Sequence, residues 1–515
     1  MNPTDLRWNI MPMIVTGLGL LLAVFLGLFI GGGEISKLGL IFGLAAVIAV
    51  IAGMRQYIWL LLPLCWGLTG SVTLLPLPFS VRDLAVMLVG GVAFALFALR
   101  VFKFRNRWDA LDAMVIFNLA QVLIAFVFHP AGLKALSSAT VGARPYFNIA
   151  IAALTYVVLS NQIISKKLAL RLPILFLVPE LILSGLYLVS RVAPSIGFLL
   201  GNFYDALRPP TLRNGVTPPM ERMSGAVGAG SVLLSVLCSF FRPLTLINPL
   251  RFGRFLLFAL GIVLILISGF RSQLLTVAIV FILSGYFRRG ITDVVTSLLG
   301  LSLAALALIL FNSFVHPLPL AMQRTLSTLP GRWDSIATKD AEGSTQWRLE
   351  MWKDIPRGTQ YIHNKIMGDG FGFSRSELAA MERQKFLTGE MSQEDYMIIG
   401  SFHSGPLSAV RFVGVVGLIL YYTLLIYTAV YSWRVIRAAK GTDFFPLALF
   451  IGLRAIWEPF NYTLIFGAFD SGLPEALFTI GMLKMIHNSL IPYLPAEEPT
   501  EIKPRPSAAR WLAPA

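Results

Sequence analysis

The chain has 515 residues, of which 56% are hydrophobic and 13% are charged, whereas an ordinary soluble domain carries about 25% charged residues. This composition excludes a soluble globular protein and indicates an integral membrane protein. The net charge is +15, and the basic residues lie in short clusters between apolar runs. Such clusters are typical of the connections between membrane spans. We therefore expect a lipid bilayer and no nucleic acid as partner.

Apolar runs long enough to cross a bilayer as helices recur along the chain. We predict an all-α integral membrane protein with about 12–14 transmembrane helices. The fourteen candidate runs lie near residues 12–31, 37–53, 57–77, 83–101, 111–128, 146–162, 171–190, 224–241, 252–268, 272–287, 292–312, 405–432, 444–462 and 473–490. The first is too long, and too closely followed by others, for a cleaved signal peptide.

Basic clusters fall in alternate connections between these runs. They comprise Lys103, Arg105 and Arg107; Lys166, Lys167 and Arg171; Arg242, Arg251 and Arg254; Arg288 and Arg289; and Arg434, Arg437 and Lys440. Because positive residues collect on the cytoplasmic side, the alternation places both termini in the cytoplasm. The tail from Pro492 is rich in Pro and Glu and is predicted to be disordered.

One long polar stretch, residues 312–404, interrupts the apolar pattern. Its backbone groups would lack hydrogen-bond partners in hydrocarbon, so we predict a large extracytoplasmic loop containing short helices. Connections of this length are uncommon unless they act as lids or binding loops. The predicted domains are transmembrane helices 1–11 in residues 1–311, the loop in 312–404, transmembrane helices 12–14 in 405–491 and the tail in 492–515.

Charged residues inside predicted spans include one before this loop and two after it. Glu180 follows Pro179 in the seventh span, and Arg454 and Glu458 stand four residues apart in the thirteenth. A charge inside a span needs a partner. We predict that Arg454 and Glu458 pair on one helical face, whereas the sequence does not explain Glu180.

Arg271 stands between two spans that share a very short outer turn. An arginine near the end of a span often has no function beyond extending its guanidinium to the membrane–water interface. The alternative is an anion clamp, because the guanidinium stays charged and offers five donors in a fixed fork that suits phosphate. The sequence leaves both interpretations open.

Inside the loop, Arg348 and Trp352 stand four residues apart, so a helix would place them on one face. The tryptophan could stack on a sugar while the arginine meets a phosphate, although such a pair is also an ordinary cation–π contact. Downstream, Gly368 and Gly370 permit positive φ angles and a close backbone approach to a ligand.

His403 directly precedes the twelfth span, which contains Gly414 and Gly417. A histidine can act as a general base near neutral pH. At a membrane interface, however, it is often a solvated side chain that anchors the helix and has no catalytic role. The other four histidines are scattered, and Cys65 and Cys238 lie in apolar runs. We therefore predict no protein-held metal.

The order of these pieces resembles the O-antigen ligase and polysaccharide polymerase superfamily of bacterial membrane glycosyltransferases. The resemblance covers about residues 250–430, with Ser-x-x-Arg (Ser268 to Arg271), the long loop, Arg-x-x-x-Trp (Arg348, Trp352), Gly-x-Gly (Gly368, Gly370), and His403 before Gly414 and Gly417. Ser404 follows the histidine where ligases often have asparagine, so ligase and polymerase both stay open.

The resemblance implies a GT-C-like, metal-independent enzyme without a cofactor, in the bacterial inner membrane with its large loop in the periplasm. Such enzymes transfer a glycan from undecaprenyl diphosphate to an acceptor hydroxyl, on lipid A core for a ligase or on another lipid-linked glycan for a polymerase. The implied catalytic residues are His403, Arg271 and Arg348. The implied substrate-binding residues are Trp352, Gly368 and Gly370.

Two alternatives from other classes remain. A lipid-linked oligosaccharide flippase would also have twelve to fourteen spans and buried charges, but many transporter folds consist of two similar halves, and we find no internal repeat. A scaffold subunit of an export complex would tolerate replacement of Arg271, Arg348 and His403.

Overall fold

The computed structural model describes residues 55–73, 79–100, 106–133, 136–207, 223, 225–388 and 393–493. The predicted spans at 12–31 and 37–53, the basic residues Lys103 and Arg105, and the tail beyond residue 493 lie outside the described residues. Within these ranges the chain forms 18 α-helices and a single pair of two-residue strands, so the all-α class is confirmed.

The helices, in chain order, are α1 (Leu61–Cys65), α2 (Val81–Ala98), α3 (Ala110–Phe128), α4 (Ala143–Ser160), α5 (Lys166–Val192), α6 (Pro194–Gly201), α7 (Ala226–Phe240), α8 (Pro243–Leu246), α9 (Phe252–Ser268), α10 (Arg271–Arg289), α11 (Ile291–Leu310), α12 (Leu320–Leu326), α13 (Ser335–Asp354), α14 (Arg375–Thr388), α15 (Gln393–Ile398), α16 (Gly405–Ala439), α17 (Phe445–Phe460) and α18 (Phe469–Leu490). Short π-helices extend α11 and α17, at Phe311–Val315 and Asn461–Ile465. The strands β1 (Thr140–Val141) and β2 (Phe373–Ser374) pair antiparallel.

Five of the described helices are long and apolar enough to cross a membrane: α2, α3, α5, α16 and α11 with its π-helical extension. Helices α7 and α9 are apolar but shorter. A helix satisfies its own backbone hydrogen bonds, which is the requirement for a segment surrounded by hydrocarbon. The set is compatible with the predicted multi-pass protein.

The run predicted as a continuous span near 57–77 is not one helix. A 3₁₀-helix at Arg55–Leu60 leads into α1, which has only five residues. The chain then turns at Gly67. Only glycine fits there, because a Cβ would overlap the carboxylate of Glu180. The amide of Gly70 donates to the hydroxyl of Tyr204 at 2.9 Å. Close approach of other segments therefore interrupts this apolar run.

The core lies between helices α4, α16, α17 and α18, where α18 packs along α4 and α16 packs along α17. A buried polar network joins α18 to α3. Lys484, 2% exposed, contacts the carboxylate of Asp112, which is 1% exposed and also caps the start of α3. Tyr156 donates its hydroxyl to the same carboxylate, and Asn106 Oδ1 lies 3.1 Å from the Lys484 ammonium.

We expect Lys484→Met to lower the free energy of unfolding by about 3–5 kcal/mol, because it leaves the buried Asp112 carboxylate with its hydrogen bonds but without the counter-charge of the ammonium. Adding Asp112→Leu should restore much of the loss, since neither charge then remains. Unfolding in mixed micelles, titrated with denaturing detergent, measures both. Lys440→Met, at the exposed end of α16, is the control. Equal losses for the single and the double variant would contradict this account.

The predicted loop at 312–404 is largely helical: it contains α12, α13, α14, α15 and strand β2. Its longest helix, α13, packs on α12, which in turn contacts α9 and α10. A cluster of buried apolar side chains fastens the end of α13 to the segment before α16. Its members are Met351, Ile355, Ile362 and Phe402. The loop is therefore folded onto the helices that flank it.

Candidate functional site

Helix α13 connects the three residues predicted to be catalytic. Arg348 lies on it, Arg271 donates a hydrogen bond to it, and the ring of His403 packs edge-on against its Trp347, with ring centroids 5.0 Å apart. The helix begins at a side-chain cap, since the Asp334 carboxylate accepts from the first turn. The sequence predicted only a short helix around Arg348, and the structure extends it to 20 residues.

Arg271 is the first residue of α10. Its Nη2 donates to the Ala341 carbonyl at 2.8 Å and lies 3.1 Å from the Thr345 hydroxyl. It borders an open cavity of about 410 Å³, lined by Arg271, Ser327, Thr328, Thr338, Ala341, Glu342, Thr345, Gln346 and Leu349. Four of these nine residues carry hydroxyls, so the cavity offers donors and acceptors suited to phosphate or sugar oxygens. Glu342 is its one acid.

Arg324 holds these elements together, and sequence reasoning missed it. The residue is 4% exposed and donates both to the Gly269 carbonyl, in the turn before α10, and to Asp340 on α13. Its charge is neutralised by Asp340, so its role is to position α10 against α13. A lone arginine in a polar segment carries no sequence signal for such a role.

Arg348 is a half-buried cation. Its Nη1 donates to the Ile465 carbonyl at 3.2 Å, and its Nε has no hydrogen-bond partner. No carboxylate lies within ion-pair distance of it in the described part of the chain. Burial lowers the pKa of Arg348, and the nearby charge of Arg324 lowers it further. A desolvated cation without a counter-charge gains when an anionic ligand arrives.

Trp352 lies one helical turn beyond Arg348, on the face that the sequence predicted for both. Its indole Nε1–H is buried without a hydrogen-bond partner, in the same state as Arg348 Nε. A buried indole N–H usually has a partner, and an unsatisfied donor costs about 1–3 kcal/mol. A ligand rich in acceptor oxygens can satisfy both donors, which lie on one helix face.

His403 adopts a φ of +51°, which is uncommon for a residue other than glycine. Its Nδ1 lies 3.1 Å from the Ser401 carbonyl, and because a carbonyl only accepts, Nδ1 carries the proton and Nε2 keeps a lone pair. Burial lowers the pKa of His403, and the charge of Arg348 lowers it further. The imidazole is therefore neutral at pH 7, as a general base must be.

Aromatic rings surround this imidazole. Trp347, Tyr396 and Phe466 lie edge-on to it, with centroid distances of 5.0, 6.0 and 5.4 Å. Phe466 directly follows Ile465, whose carbonyl accepts from Arg348, so one short segment touches both predicted catalytic side chains. These rings limit the contact of water with the half-buried imidazole, and aromatic rings can pack against the faces of sugars.

Gly368 and Gly370, predicted to approach a ligand, approach the chain's own backbone. Their φ angles are +84° and +67°. The amides of Asp369 and Gly370 donate to the carbonyls of Arg411 and Phe412 in α16, at 2.8 and 3.1 Å. The Asp369 carboxylate also lies 2.9 Å from the Arg411 guanidinium. This turn, residues 364–370, is docked onto α16, and a role for its glycines at the sugar site stays a prediction.

Helix α16, predicted as an uninterrupted span, is broken at Gly414, where φ is +73° and ψ is −179°. A Cβ on Gly414 would overlap the Ile366 carbonyl of the docked turn. Gln121 of α3 donates to the Val413 carbonyl at 2.9 Å and so satisfies an acceptor in the break. The two glycine motifs of the sequence therefore meet each other in the fold.

Gly414→Ala should undock the 364–370 turn, because alanine rarely adopts this backbone conformation. We expect a loss of at least about 1–3 kcal/mol from backbone strain alone, together with faster amide hydrogen exchange in the turn. Gly343→Ala on α13 is the control, since a Cβ there meets nothing within 4 Å. Unchanged exchange in the turn of a folded Gly414→Ala protein would show that the docking does not depend on this glycine.

No model of a known protein family and no curated protein matches this chain. The resemblance to the O-antigen ligase and polysaccharide polymerase superfamily therefore rests on the order of its motifs and stays a prediction. Across the described residues, no group of three His, Cys, Asp or Glu side chains is placed to hold a metal ion.

Around α13 the arrangement supplies three chemical elements. Arg271 and Arg348 provide positive charge, the Trp352 indole provides a buried donor, and His403 provides a neutral base. This set suits a reaction in which an anionic group leaves while a hydroxyl is deprotonated.

Proposed function

We propose that the chain is a bacterial inner-membrane glycosyltransferase, an O-antigen ligase or a polysaccharide polymerase. It transfers a glycan from undecaprenyl diphosphate to an acceptor hydroxyl at the outer face of the membrane. The observation that carries the proposal is the pair of buried, unsatisfied donors, Arg348 Nε and Trp352 Nε1, on the helix that Arg271 and His403 also contact.

The two arginines hold the diphosphate of the donor. As the bond between the sugar C1 and the phosphate oxygen breaks, its electron pair stays on that oxygen and negative charge grows there. Arg348 has no carboxylate to neutralise it within the described residues, so its attraction for this charge is undiminished. Preorganised donors of this kind stabilise a developing charge without rearrangement.

His403 activates the acceptor. Its Nε2 takes the proton of the acceptor hydroxyl while that oxygen forms the new bond to C1, and undecaprenyl diphosphate leaves. The Ser401 carbonyl holds Nδ1 protonated and thereby fixes the reactive tautomer. The rings of Trp347, Tyr396 and Phe466 limit the access of water, which would otherwise compete as an acceptor.

The membrane arrangement follows the basic clusters of the sequence. Twelve to fourteen helices cross the bilayer, both termini lie in the cytoplasm, and residues 312–404 lie in the periplasm. The break in α16 is compatible with a membrane-spanning helix, because irregular backbone at membrane depth is tolerated where other protein segments satisfy it. The long lipid of the donor lies along the apolar outer faces of the bundle.

The test is transfer in vitro by the purified full chain in detergent, given a labelled undecaprenyl-diphosphate oligosaccharide and candidate acceptors, with and without EDTA. Longer lipid-linked chains identify a polymerase, and labelled lipid A core identifies a ligase. We expect one of these products, at an equal rate with EDTA. Translocation of the labelled lipid by reconstituted vesicles, with neither product formed, would contradict the proposal in favour of a flippase.

A further inference from the structure

Glu342 is an acid that the mechanism above does not use, and it lies in the open cavity of about 410 Å³ beside Arg271. A second unused acid, Glu458 of α17, was predicted to pair with Arg454. That ion pair does not form, and Glu458 Oε2 accepts instead from Asn461 Nδ2 at 3.2 Å. Glu342 differs from Glu458 because it faces a space of defined size and lining, from whose chemistry a ligand can be inferred.

Three helices contribute to the wall of this cavity. Arg271 comes from the start of α10, and Ser327 and Thr328 follow the end of α12. One face of α13 supplies the other lining residues, which are Thr338, Ala341, Glu342, Thr345, Gln346 and Leu349. The volume falls within the range of roughly 300–1,000 Å³ that is usual for small-molecule sites. The cavity is therefore large enough for a sugar unit.

The lining hydroxyls act toward the cavity mainly as hydrogen-bond acceptors. Three of the four donate their hydrogen to a backbone carbonyl of a nearby turn. They are Ser327, Thr338 and Thr345, with donor–acceptor distances of 2.9, 3.1 and 3.1 Å. A hydroxyl that donates in this way keeps oxygen lone pairs for a ligand, although Thr345 already uses one for Arg271.

Glu342 and Gln346 add two further acceptors. The Glu342 carboxylate makes no hydrogen bond or ion pair with any described residue. Gln346 Nε2 donates to the Glu350 carboxylate at 3.1 Å, which leaves the amide oxygen Oε1 for a ligand. An ionised carboxylate only accepts, and it binds donors more strongly than a neutral oxygen does. Glu342 is therefore the strongest acceptor in the cavity.

Hydrogen-bond donors are fewer on this wall. Nη2 of Arg271 is engaged with the Ala341 carbonyl and the Thr345 hydroxyl. The Thr328 hydroxyl makes no hydrogen bond within the described part of the chain and can donate. An occupant must therefore supply most of the donor hydrogens itself, which an ionised phosphate or carboxylate cannot do. Negative charge on the occupant would also be repelled by Glu342.

A cation and an uncharged sugar both suit a wall that is rich in acceptors, and Arg271 decides between them. Its guanidinium is always charged and repels a second cation in the same small space. A sugar carries no charge, and each of its hydroxyls brings one donor hydrogen. The chemistry of the cavity therefore favours an uncharged sugar.

The cavity is within reach of the proposed chemistry. Arg271 borders it directly, and Arg348 follows Thr345 by three residues on α13, roughly 4.5 Å along the helix axis. A glycan whose diphosphate meets the two arginines can place a sugar in the cavity. A glycan that brings the acceptor hydroxyl is a second source of the same chemistry.

We propose that this cavity is a subsite for an uncharged sugar unit, whose hydroxyls donate to the Glu342 carboxylate and to the side-chain oxygens of Thr338 and Gln346. Glu342 makes the subsite selective, because it repels a sugar that carries a carboxylate. That the sugar belongs to the donor glycan or to the acceptor glycan rests on the proposed function, whereas its binding does not.

Binding is measured by saturation-transfer NMR with the full chain in lipid nanodiscs. The probes are the methyl glycosides of glucose, galactose, mannose and N-acetylglucosamine, each beside its uronic acid counterpart, in which a carboxylate replaces the C6 hydroxymethyl group. We expect the wild type to bind a neutral glycoside and to bind the matching uronate roughly 10-fold more weakly, because the two carboxylates repel each other.

Variants at exposed positions assign this preference to the cavity. Glu342→Gln should weaken binding of the neutral glycoside roughly 5-fold, because a hydrogen bond to a charged acceptor becomes one to a neutral acceptor. It should also remove the discrimination against the uronate. Gln346→Ala should weaken both probes alike. Asp354→Asn removes an exposed acid from the same helix, outside the cavity, and should leave both affinities unchanged.

Three results would each overturn the subsite. They are no saturation transfer to any neutral glycoside, equal affinity of the wild type for neutral and acidic probes, and a preference that persists unchanged in Glu342→Gln. The methyl glycoside of glucosamine tests for a cation. If it alone binds, the cavity is a cation site and the proposal is wrong.

Transfer kinetics assign the sugar to its source. In Glu342→Gln, a raised KM for the lipid-linked donor places the donor glycan in the cavity, whereas a raised KM for the acceptor places the acceptor there. If the wild type shows the expected preference but transfers nothing, the proposed function fails and the subsite stands. If the wild type transfers, Arg348→Ala does not, and no glycoside binds, the subsite fails and the proposed function stands.

Discussion

Arg348→Ala is expected to lower kcat for glycan transfer by about 10²- to 10³-fold, the usual effect of removing one preorganised donor from a developing anion. The expectation follows from the state of the side chain: it is half-buried, no described carboxylate neutralises it, and its Nε has no partner. An interaction that strengthens as the diphosphate leaves should appear in kcat more than in KM.

The control for this prediction lies on the same helix. Lys353 is an exposed cation five residues further along α13, so Lys353→Ala removes an equal charge without touching the site. Arg348→Lys keeps the charge but loses the fork, and should recover only part of the activity. A transfer rate in Arg348→Ala within threefold of the wild type would show that the arginine has no part in the chemistry.

His403→Gln is expected to lower kcat/KM by about 10²- to 10⁴-fold, because glutamine can hydrogen-bond but cannot accept the acceptor's proton. His316→Gln is the control, since His316 is exposed and lies outside the site. A folded His403→Gln protein that retains wild-type kcat/KM would mean that another group takes the proton.

The pH dependence gives a second readout of the same residue. The neutral imidazole is the active form, and the pKa of His403 is lowered from its ordinary value of 6.5 by burial and by the charge of Arg348. Wild-type kcat/KM should therefore be constant above about pH 6.5 and fall at lower pH, as the imidazole gains a proton. Arg348→Lys keeps the nearby charge and should leave this limb in place. Loss of the limb in His403→Gln would assign it to His403.

Sequence motifs correctly predicted the local backbone geometry at several of the candidate residues. The spacing of Arg348 and Trp352 predicted one helical face, and both residues lie on α13, one turn apart. Gly368 and Gly370 were expected to allow positive φ angles, and both have positive φ, as does Gly414, for which the sequence made no such prediction. The segment that packs against these glycines was not predictable, because a glycine motif indicates a close approach but does not identify the approaching segment.

The sequence by itself determined the apolar helical composition of this protein, the polar stretch at 312–404 and the local face of Arg348 and Trp352. These depend on residue type and on contacts within a few positions along the chain. The tertiary structure decided that Arg324 joins α10 to α13, that α16 breaks at Gly414, and that the Glu180 carboxylate lies against Gly67 and Gly228. Each of these depends on segments far apart in the sequence, whose meeting is set by the packing of the whole bundle and leaves no periodic signal in any one of them.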